Sequence, residues 1–105
     1  MNFQNSLRAV EEFFQGEATG EALFHALSDA LEDPERRFQM RVLEQLERET
    51  KELLQENIGL LGGDIGESAS ARATGIAQAK ALAAMPWAKV IHIFGREVRK
   101  FGRAF

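Results

Sequence analysis

A chain of 105 residues with 45% apolar side chains and a net charge of −3 can build one small domain with a core. It is not basic enough throughout for a general nucleic-acid binder. With no cysteine it has neither disulfide staples nor thiolate metal ligands. No run of about 18 apolar residues occurs, and Met1-Asn2-Phe3-Gln4 does not open like a signal peptide, so a cytoplasmic protein without a spanning helix is expected.

The first element is predicted as one helix over about 2–32. Phe3, Leu7, Val10, Phe14, Phe24 and Leu31 recur three or four apart or in phase with that spacing, which puts them on one stripe. Gly16 and Gly20 each cost about 1 kcal/mol relative to alanine, yet the stripe keeps its phase across them. Glu17 falls inside the stripe and Glu21 beside it. A carboxylate removed from water costs several kcal/mol unless a cation, metal or donor meets it. Glu17 is therefore expected to be enclosed, with Lys80 or an arginine as its simplest partner.

A second helix is predicted over 34–61. Asp33 is its N-cap, Pro34 suits the first turn, and Glu35 suits the positive end of the helix dipole. Phe38, Val42, Leu43, Leu46, Leu53, Leu54, Leu60 and Leu61 read as its core face, with Thr50 and Asn57 as central polar contacts. Glu44, Arg48, Lys51, Glu52 and Glu56 read as its outside. Gly62–Gly63 supplies the stop.

From Ser68 onward the spacing Ala69, Ala73, Ile76, Ala83, Trp87, Val90, Phe94, Val98, Phe101, Phe105 predicts a helix over 68–104, kinked or broken at Pro86. Trp87, Val90, Phe94, Phe101 and Phe105 form an apolar face fit for an interface or partner. Lys89, Arg96, Arg99, Lys100 and Arg103 form a basic face fit for an anionic partner. Residues 1–67 carry a balance of −9 and residues 87–105 one of +4, so the tail can meet an acidic body. A membrane surface is the less favoured use of this face.

The fold expected is all-α, a single domain over 1–105. It is a bundle of long antiparallel helices completed by dimerisation. No catalytic residue emerges, since cysteine and tyrosine are absent and the two histidines stand alone.

The stretch from Gly16-Glu17-Ala18 to Glu47-Arg48-Glu49-Thr50 resembles the first half of a ferritin-like, rubrerythrin-type bundle. The matching residues are Glu17, Phe24, Asp33-Pro34-Glu35 and Glu47. The resemblance implies a di-iron carboxylate centre on facing helices. Thr50, however, stands where the family pattern carries a histidine, and residues 68–105 supply no second ligand set. What it leaves is a site of Glu17, Glu21, His25 and Glu47, made at a dimer axis and holding iron or another divalent metal.

The function expected is a non-catalytic oligomeric helical scaffold or interaction protein without a cofactor, working as a homodimer. The first alternative is a metal-binding ferritin-like protein. The second is a peripheral membrane or partner-binding module using the C-terminal helix.

Overall fold

The computed structural model describes residues 3–104, with the side chains of residues 6–95. The described residues form four helices and no strand: α1 Phe3–Ala30, α2 Pro34–Leu60, α3 Ala69–Ala83 and α4 Trp87–Ala104.

Local chemistry sets each boundary. Asp33 accepts from the Arg36 amide at 2.9 Å, with Pro34 directly after it, so α2 starts there. At the other end Gly62 takes a φ of 84°, a conformation that side chains other than glycine's resist. The Gly62 amide then bonds the Gly59 carbonyl and the Gly63 amide the Ile58 carbonyl, a Schellman closure. Ser68 caps α3 by accepting from the Ala71 amide at 3.0 Å. The Gln15 side chain holds the intervening loop, donating to the Gly66 carbonyl and accepting from the Ser68 amide, each at 2.9 Å.

The chain breaks at residues 84–86. Pro86 lacks the amide that would continue α3, and its carbonyl instead accepts from the Lys89 and Val90 amides to start α4.

Helix α1 packs against both α2 and α3. Ser28 meets Arg41, His25 meets Glu44 and Glu21 meets Arg48, so α1 and α2 are antiparallel. Gln15 meets Ser68, and Thr19 and Leu23 meet Gly75, so α1 and α3 run the same way. At Gly75 the approach is close. A Cβ there would overlap the Thr19 carbonyl oxygen and stand 2.9 Å from the Leu23 nitrogen.

One core cluster joins Leu27, Met40, Ala79, Leu82 and Val90, with Phe24, Leu43, Trp87 and Phe94 packed around it. Towards the other end Phe14, Ala18, Ile58 and Ala71 are buried. Polar side chains occupy the middle of the α1–α2 seam.

Two predicted faces are turned from the reading. In α2 the buried residues are Met40, Glu44 and Ile58. Of the predicted core face Leu43 and Leu54 are partly buried, Leu43 against the core cluster, while Phe38, Val42, Leu46, Leu53, Leu60 and Leu61 are exposed. Glu44 is buried, and Arg48 and Lys51 lie half-buried in the seam, although all three read as exterior. The reason is α1: its inward Glu21 requires cations opposite it, which the leucine side of α2 lacks. In α3 the inward face is Ala71, Gly75, Ala79 and Leu82. The stripe read as its core side, Ala69, Ala73, Ile76 and Ala83, is exposed. Small residues are what permit the approach at Gly75, and Ile76 would prevent it.

Candidate functional site

The α1–α2 seam carries a chain of charges. At one end His25 Nδ1 stands 3.1 Å from Glu44 Oε2, a hydrogen bond when the ring carries its proton on Nδ1. Its other nitrogen lies 3.5 Å from Asp29. Glu44 also accepts from Arg48 Nη2 at 2.7 Å, and Arg48 Nε reaches Glu21 at 3.5 Å. Lys51 Nζ lies 2.6 Å from Glu21 Oε2 and also pairs with Glu67. Glu67 in turn pairs with Arg72 at 3.0 Å. The series joins α1, α2, the loop before α3, and α3 itself.

Burial makes these pairs matter. Glu21 and Glu44 are each 8% exposed, so removing their cations leaves uncompensated charge away from water. The Glu67 carboxyl is held below its usual range by its hydrogen bonds from Lys51 and Arg72, against the opposing effect of burial. For Lys51, burial would lower the ammonium pKa, but Glu21 and Glu67 together raise it.

Beside this series stands a different arrangement. Glu47 is partly buried and hydrogen-bonded to Glu17, also partly buried. Burial, that hydrogen bond and the charges of Glu17 and Glu21 push the Glu47 carboxyl from 4.5 up to about 9. Glu47 therefore holds its proton far more tightly than an ordinary carboxylic acid, with the Glu17 side chain as its hydrogen-bond partner. Gly20 makes room for it: a Cβ there would come within 3.0 Å of the Glu47 carboxyl carbon.

Of the four residues read as a metal set, Glu17 and Glu47 are thus brought together. Glu21 is turned to Lys51 and Arg48, and His25 to Glu44 and Asp29. Among the described residues no group of three or more histidine, aspartate or glutamate side chains is placed to hold a metal ion. No lysine or arginine ion-pairs with Glu17 among them, and Lys80 is exposed.

In the C-terminal set, Val90 is 1% exposed and belongs to the core. Phe94 tilts against Phe24 with ring centroids 5.5 Å apart. Trp87 carries the Arg36 guanidinium 5.0 Å over its ring, a cation–π contact. Lys89 is exposed. The side chains of Arg96, Arg99, Lys100, Phe101, Arg103 and Phe105 lie outside the described residues. No helix among the described residues is long and apolar enough to cross a membrane. A cleft of about 430 Å³ between α1, α3 and α4, lined by Leu23, Gln78, Ala81, Leu82, Ile93 and Phe94, carries no titratable group.

Sequence reasoning missed Glu44, Arg48, Lys51, Glu67 and Arg72 as a connected set. A usable signal was present: Glu17, Glu21, His25 and Ser28 recur at helical spacing on α1. A polar strip of that length calls for a charged strip opposite it.

Compared with known proteins, the chain matches no family model, no curated protein and no solved structure. Any functional reading accordingly rests on this geometry.

Proposed function

We propose that this is a non-catalytic, cytoplasmic scaffold or interaction protein that works through the outward apolar face of α2, building a helical bundle with what docks there. One observation carries the reading: on a helix whose other side is already packed, Phe38 is 67% exposed, Leu46 53%, Leu53 58% and Leu60 79%. Contiguous large apolar side chains on one face mark an interaction surface, because leaving them in water forfeits about 25 cal/mol per Å².

The test is the double variant Leu46→Glu/Leu53→Glu. Both side chains point outward, so helicity and the melting transition should be kept. Binding of an apolar fluorescent dye, and any mass above one chain by light scattering, should fall. Equal dye binding and equal mass in variant and wild type would remove the reading.

A second reading, a divalent-metal site of the ferritin-like type, draws support from the Glu17–Glu47 pair. Two carboxyls sharing a proton can exchange it for a cation, and further ligands would come from another copy. Manganese, iron or zinc content after purification without chelator, compared with Glu17→Ala, tests it. Equal metal content in the two would end it.

A further inference from the structure

We infer that the occupant of the α2 face is a second copy of this chain, paired antiparallel about a two-fold axis that crosses α2 between Glu49 and Thr50. This rests on the reading of that face as an interaction surface and adds the partner and its register.

Three features of α2 point the same way. Leu46, Leu53 and Leu60 repeat every seven residues, the spacing of a helix seam, with Val42 beside them. An axis between Glu49 and Thr50 sets Leu46 against Leu53 of the second copy and Phe38 against its Leu60 and Leu61. Each large apolar side chain of the stripe other than Val42 then meets another. An isologous contact of this kind is complete with two copies and leaves no open end.

The helix dipoles distinguish the direction: they oppose each other favourably in the antiparallel arrangement, whereas parallel pairing lays like ends together. Glu49, nearest the axis, is drawn along its own helix by a hydrogen bond from Gln45 at 3.1 Å, away from its counterpart.

The area suffices. Phe38, Val42, Leu46, Leu53, Leu60 and Leu61 are each more than 40% exposed. They offer on the order of 600 Å² per copy, so two copies reach about 1,200 Å², the lower bound of a stable specific interface.

The absence of cysteine gives a clean test in the full chain. Phe38→Cys and Leu60→Cys are made separately, each at an exposed position. Mixed, they should form an intermolecular disulfide on the order of 10²-fold faster than either does alone, because pairing raises the effective thiol concentration. Alone, each should stay reduced: in Phe38→Cys, for example, the two introduced sulfurs would lie about 35 Å apart along the seam, far beyond disulfide reach. Adding Leu46→Glu/Leu53→Glu to both should abolish the mixed product, with melting as the check on folding.

Rapid self-crosslinking of Phe38→Cys would establish parallel pairing and overturn the inference while leaving the interaction surface standing. A wild-type chain that stays at the mass of one copy at high concentration, with no mixed disulfide, would also overturn it. If that chain still lost its dye binding on Leu46→Glu/Leu53→Glu, the surface would belong to a different partner.

Discussion

Lys51 Nζ stands 2.6 Å from Glu21 Oε2 while also meeting Glu67, so a single ammonium ties α1 and α2 to the loop that leads into α3. Exposed pairs add little to stability, but Glu21 is 8% exposed. Lys51→Met should therefore cost about 2 kcal/mol in urea unfolding, most of it the burden of a buried carboxylate left with only the longer Arg48 contact at 3.5 Å. Lys51→Met/Glu21→Gln should recover a large part of that loss, because the charge left behind is gone. A single-variant loss under about 0.5 kcal/mol would mean that water, not Lys51, satisfies Glu21.

The same contacts set the pH limits. The folded Glu67 pKa is depressed, so its contribution is present above the ordinary carboxylate pKa of 4.5 and is lost as pH falls through the folded value. The folded Lys51 pKa is raised, so its contribution is full below 10.5 and is lost as pH climbs through the folded value. In Lys51→Met the melting temperature should fall less steeply than in wild type at both edges. Unaltered slopes would separate these groups from the stability profile.

Glu47 works in the opposite sense to Glu67. Its folded pKa of about 9 lies above the ordinary 4.5, so the folded state binds the extra proton. That contribution is full below 4.5 and is lost as pH rises through about 9. Glu47→Gln keeps a neutral donor towards Glu17 without the proton. It should be near neutral in effect at about pH 4 and increasingly stabilising as pH rises from about 4.5 to about 9, reaching about 1 kcal/mol after allowance for the partial exposure of the side chain. Thermal melts across that range, compared with wild type, measure it. A variant destabilised equally at every pH would show that the pair does not share a proton.

Gly75 is where α3 lies on α1. A methyl group there meets backbone atoms, the Thr19 carbonyl oxygen and the Leu23 nitrogen, neither of which can rotate away. Gly75→Ala should cost about 3 kcal/mol, although alanine favours helix by about 1 kcal/mol. Ala73→Ser, on the exposed side of the same helix, serves as the control. If Gly75→Ala melted at or above wild type, the close approach would not exist in solution.

Docking of α4 depends on Val90 and Phe94. Val90→Asp should cost upwards of about 3 kcal/mol by burying an unpaired charge. Phe94→Ala should cost about 3 kcal/mol, since it loses the packing against Phe24 and the core cluster. Denaturant melts report both. Wild-type stability in Val90→Asp would place α4 away from the core.

The sequence alone determined the helices and most of their ends, because those signals are local. An aspartate followed by proline, a glycine able to take positive φ, and a serine whose hydroxyl reaches an amide three residues on act within one turn of chain. Glycine costs of about 1 kcal/mol were too small to break α1 at Gly16 and Gly20. Only the tertiary structure decided which side of α2 and of α3 turns inward. Periodicity marks an apolar stripe but does not say what covers it. The choice fell to long-range terms: a buried Glu21 that needs Arg48 and Lys51, and a glycine that lets α3 approach where isoleucine could not. The Glu17–Glu47 pair, likewise, exists because an antiparallel hairpin brings together two acids thirty residues apart, a relation that neither segment carries by itself.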